Sequence, residues 1–78
     1  MSYLIKQWIT TKDYTCEDVG KARTAEDAIK VAKELARIFD FLIDEDVKKY
    51  VHTMPEGDTL KITVHNLDYE MHIMRTKS

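Results

Sequence analysis

Residues Leu60 to Met74 constrain the chain more tightly than any other stretch, because their apolar and polar positions mirror each other about a turn. With Asn66 and Leu67 as the turn, Val64 faces Tyr69, Ile62 faces Met71 and Leu60 faces Ile73 on one side. His65 faces Asp68, Thr63 faces Glu70 and Lys61 faces His72 on the other. One side is wholly apolar and the other wholly polar. A slip of one residue would send every apolar side chain to water, so the pattern sets the register as well as the strand character. Asn66 suits a primed two-residue turn and Leu67 does not, which leaves a longer loop from His65 to Asp68 as the alternative.

A sheet with one apolar face needs a cover. From Thr24 to Phe41 the apolar residues Ala25, Ala28, Ile29, Ala32, Leu35, Ala36 and Phe39 recur at three- and four-residue spacing, and Leu42 and Ile43 continue the row. The spacing predicts one long amphipathic helix. Thr24 suits the N-cap, and Glu26 and Asp27 favour the positive end of the helix dipole, with Asp27 placed to complete a capping box. The stripe is thin because so much of it is alanine, so the helix can lie close to a sheet whose own side chains are larger.

Residues 2 to 10 combine β-branched and aromatic side chains in alternation and read as a first strand. Tyr3, Ile5 and Ile9 point to one face, Leu4 and Trp8 to the other. In the segment that follows, Asp18 to Lys21 suggest a turn, with Tyr14 to Cys16 either prolonging the first strand or forming a short second one. After Phe41, Val47, Tyr50, Val51 and Met54 fall at helical spacing behind Asp44, which predicts a short second helix ending before Pro55. The competing reading makes Lys49 to Met54 a strand folded back through the PEGD turn. The expected fold is therefore α+β and a single domain over residues 1–78. In it a small antiparallel sheet of about three strands, the N-terminal strand plus the C-terminal hairpin, packs on the central helix.

Several chemistries are disfavoured by what the chain contains. Its three histidines and its single cysteine, Cys16, lack the paired spacing of a zinc site, and two glycines are too few for a phosphate-cradling loop. The acidic group Asp40, Asp44, Glu45 and Asp46 reads as a helix cap and a solvated junction, without the alternate-position ligands of a calcium loop. No metal, no cofactor and no catalysis are expected. Nor is a membrane span, since no apolar run is long enough, and a cytoplasmic location follows from the lone cysteine and the lack of a leader-like start.

Two surfaces remain as candidates. Lys30, Lys33 and Arg37 make a basic ridge on the outer face of the central helix, with Lys21 and Arg23 just before it. Glu26, Asp27, Glu34 and Asp40 interrupt that ridge, and the formal charge of the chain is −2, so nucleic-acid binding is the weaker expectation. Leu4 and Trp8, with Tyr14 nearby, form an aromatic surface on the side of the first strand that the helix leaves bare. The function expected from this surface is a non-catalytic protein-binding module that occupies part of a larger partner. Phage-encoded accessory proteins and inhibitors of host defence systems are commonly of this size and style, although no motif here ties the chain to them. The alternative is a self-associating homo-dimer in which the first strand or its Trp8 face pairs across a twofold axis.

Overall fold

Two hairpins meet at the centre of one sheet. The computed structural model describes residues 2–11, 14–64 and 68–77. Strands β1 (Ser2–Thr11) and β2 (Tyr14–Ala22) form the first hairpin, β3 (Thr59–Val64) and β4 (Tyr69–Thr76) the second. All pairings are antiparallel and the order is β2-β1-β4-β3. The register of the second hairpin is that of the mirrored pattern: Leu60 opposite Ile73, Ile62 opposite Met71, Val64 opposite Tyr69. The turn at Asn66 and Leu67, and His65 before it, lie outside the described residues.

The sheet has four strands where the sequence suggested about three. Tyr14–Ala22 runs unbroken beside β1, so Asp18 to Lys21 are strand and not turn. The reason lies on the helix-facing side of β2, which carries Cys16, Asp18, Gly20 and Ala22 opposite Ile9, Gln7, Ile5 and Tyr3. Asp18 is tolerated there because Gln7, itself fully buried, donates a hydrogen bond from Nε2 to its carboxylate, and the Arg37 guanidinium lies 3.7 Å from the same oxygen. Because β1 is hydrogen-bonded on both sides, it has no free edge with which to pair across a twofold axis. The edges of the sheet are β2 and β3.

Helical residues run from Ala25 to Leu42, in two pieces. Helix α1 (Ala25–Ala36) is capped by Thr24, whose hydroxyl accepts from the Asp27 amide, and buries Ala28, Ile29, Ala32 and Ala36. Arg37 then adopts φ 57 and ψ −116, and a 3-10 segment (Arg37–Leu42) follows. A twelve-residue helix is about 18 Å long and an eighteen-residue one about 27 Å, whereas four strands side by side span only about 14 Å between outer axes. After the turn at Arg37 the chain continues against the core, with Phe39 and Leu42 packed on it. Phe39 is brought onto Tyr69 with ring centroids 5.0 Å apart, and Ile43 enters the core. Helix α2 (Glu45–Thr53) forms as its spacing predicts, with the Asp44 carboxylate accepting from the Val47 amide, and it buries Val51. A turn from Pro55 to Asp58, with Gly57 at φ 82, leads into β3, and the Arg75 backbone ties that turn to β4.

At Gly20 the helix and the sheet approach closely. A Cβ built there would lie 2.3 Å from Cγ1 of Val31. Gly20→Ala should therefore lower stability by roughly 1–3 kcal/mol, the usual range for an overpacked contact. The urea midpoint reads this directly. Combined with Val31→Ala, which vacates the same space, the loss should fall short of the sum of the two single changes.

Candidate functional site: the open face of the sheet

Period-two alternation sends every second side chain of the sheet away from the helices. On β1 these are Leu4, Lys6, Trp8 and Thr10, and on β4 Glu70, His72 and Met74. Outside them stand Glu17, Val19 and Lys21 on β2, and Thr59, Lys61 and Thr63 on β3. No helix or strand among the described residues covers this face.

Trp8 sits near its middle, half-buried by its own neighbours. The indole meets the His72 ring edge to face, with centroids 4.7 Å apart and planes inclined at 68°. Glu70 Oε1 lies 3.0 Å from His72 Nε2, close enough for an ion pair when the imidazole is protonated. Lys6 and Lys61 flank His72 from the adjacent strands, while Leu4 pairs with Met74 and Val19 is 51% exposed. The result is an apolar and aromatic strip crossed by charges of both signs. At one end an open depression of about 500 Å³ is lined by Trp8, Thr10, Thr63, Asp68, Tyr69 and Glu70.

Of the three residues expected to bind a partner, Leu4 and Trp8 share this face. Tyr14 begins β2 opposite Thr11, and its side chain lies outside the described residues. The five basic residues do not converge. Lys21 stands on the open face beside Leu4, and Arg23 is exposed between β2 and α1. Lys30 and Lys33 are exposed on the helix layer, and Arg37 lies against Asp18. They are thus divided between the two sides of the molecule. Lys6, Glu70, His72 and Met74 belong to the Trp8 face although the sequence did not single them out for it. Their signal was parity with Trp8, which becomes readable only once β4 is known to lie beside β1.

No protein-family model, no curated protein and no solved structure matches the chain. No helix among the described residues is long and apolar enough to cross a membrane. Among the described residues no three His, Cys, Asp or Glu side chains are grouped to hold a metal ion.

Tyr69, one of the residues lining the depression, is buried on the inward-facing row of β4. Its hydroxyl is buried without a hydrogen-bond partner, and burial pushes its pKa up from 10.0 to about 12. The folded chain therefore holds this proton more tightly than the unfolded chain does. The associated stability is complete below pH 10 and is lost as pH rises from there through about 12. Tyr69→Phe should reduce that alkaline loss, and at neutral pH it should be neutral or stabilising by about 1 kcal/mol, because an unsatisfied buried hydroxyl is removed. Denaturation midpoints at pH 7 and across the alkaline range test both statements.

Proposed function

We propose that the chain is a non-catalytic protein-binding module, and that its open sheet face occupies a surface of a larger partner in the manner of an accessory or inhibitory protein. The observation that carries this reading is the position of Trp8: an indole at the centre of a sheet face, locked by His72, with no described element of the chain lying over it. Tryptophan in such a setting anchors interfaces because it buries a large rigid area at small entropic cost. Leu4, Met74 and Val19 extend the apolar contact. The lysines Lys6, Lys21 and Lys61 are balanced by Glu17 and Glu70, a mixture that suits the polar rim of a protein interface better than a run of phosphates.

The experiment is capture of a partner from the native host by the immobilised chain, followed by affinity measurement. Trp8→Ala should weaken the captured complex by roughly thirtyfold or more, the loss typical of an interfacial hot spot of about 2 kcal/mol. Its thermal unfolding should stay cooperative. Lys30→Glu with Lys33→Glu, on the opposite side, should leave capture unchanged. Unfolding of the Trp8→Ala chain, or undiminished capture by it, would remove the basis for the proposal.

A further inference from the structure

The two edges of the sheet are not alike. Edge strands offer unpaired N–H and C=O groups to any passing strand, and proteins commonly blunt them with short strands, lysine, inward-pointing charges, proline or bulges. On β2 the inward-facing row holds Asp18 and Gly20. On β3, TLKITV, there is no proline, the register against β4 is unbroken, the inward row is Leu60, Ile62 and Val64, and the single charge, Lys61, belongs to the open-face row.

That inward row is also unfinished. Across the β3–β4 ladder Ile73, Met71 and Tyr69 are exposed by 0%, 0% and 3%, whereas their partners Leu60, Ile62 and Val64 are only half-buried. The helix layer covers β2, β1 and β4 and thins out towards β3. An exposed aromatic borders the same region. Phe41, 68% exposed, meets Phe39 edge to face, and Phe39 packs on Tyr69, the cross-strand partner of Val64.

We propose that β3 is the docking edge for a second copy of this chain, the two β3 strands pairing antiparallel about Ile62 to join two sheets into one of eight strands. The sequence of β3 is complementary to itself in that register. Ile62 would face the partner's Ile62, Leu60 the partner's Val64, and Lys61 the partner's Thr63, so apolar meets apolar and no like charges stand directly opposite. Shifting the axis to Lys61 would set the two lysines against each other. The Trp8 face of both copies would remain open, so this association is independent of the binding function proposed above.

A six-residue strand pair makes a small interface, so the dimer is expected to be weak and reversible. Sedimentation equilibrium of the full chain should show a concentration-dependent monomer–dimer exchange, unchanged by Trp8→Ala. Register is read by cross-linking in a Cys16→Ser background. A mixture of Lys61→Cys and Thr63→Cys chains should form an intermolecular disulfide under mild oxidation several times more efficiently than either chain alone, because directly opposed strand residues are within disulfide reach. Both positions are exposed, so the monomer should fold as before, which circular dichroism checks. A chain that stays monomeric up to millimolar concentration overturns the proposal. So does a dimer lost on Trp8→Ala, or one in which Lys61→Cys chains link to themselves best. Capture of a foreign strand at β3 by an otherwise monomeric chain would count against it equally.

Discussion

The seating of α1 on the first hairpin is the contact on which the arrangement depends. Ala28, Ala32 and Ala36 present almost no side-chain bulk, and Gly20 removes the one Cβ that would hold Val31 off the sheet. Close packing of this kind fixes the height of the helix layer. The buried residues Tyr3, Ile5, Met71 and Ile73 meet the helices across that gap. A larger residue at any of these small positions would lift the helix and loosen the same core from several sides.

Much of this was readable from residue order. The mirrored alternation of Leu60 to Met74 fixed the second hairpin in register, and the caps at Thr24 and Asp44 marked both helix starts. The face of Trp8 and Leu4 also followed from period two alone. What resisted reading was β2, because its inward row inverts the usual rule: Asp18 and Gly20 face the helices while Val19 faces outward. Each exception answers to a residue far away in sequence, Asp18 to Gln7 and Arg37, Gly20 to Val31. Local propensity holds no record of such partners. The turn at Arg37 was hidden for a similar reason. No glycine announces it: a positive φ falls on Arg37, a residue type with no local preference for that conformation.

The two sides of the molecule differ in character. The helix side carries the core and a part-buried polar cluster, in which the Asp18 carboxylate gathers Gln7, Arg37 and the Cys16 thiol. Gln7 keeps its oxygen Oε1 buried without a hydrogen-bond partner, which offsets part of what its bond to Asp18 contributes. The open side carries the mixed aromatic and charged strip. Substitutions on the helix side should therefore trouble folding, whereas those on the open side test the binding role proposed for Trp8 and its neighbours.

The adjacency of β1 and β4 has a consequence for how the chain assembles. The Thr76 hydroxyl donates to the Ser2 carbonyl across a separation of 74 residues, and the whole β1–β4 ladder spans similar distances in sequence. Closing so long a loop costs entropy before any contact repays it, so the rate of assembly should be governed by this step and not by either hairpin. Until β4 arrives, β1 is itself an unprotected edge carrying Ile5 and Gln7. Docking of β4 closes that edge, so the pairing that joins the two ends of the chain also completes the protection of its central strand.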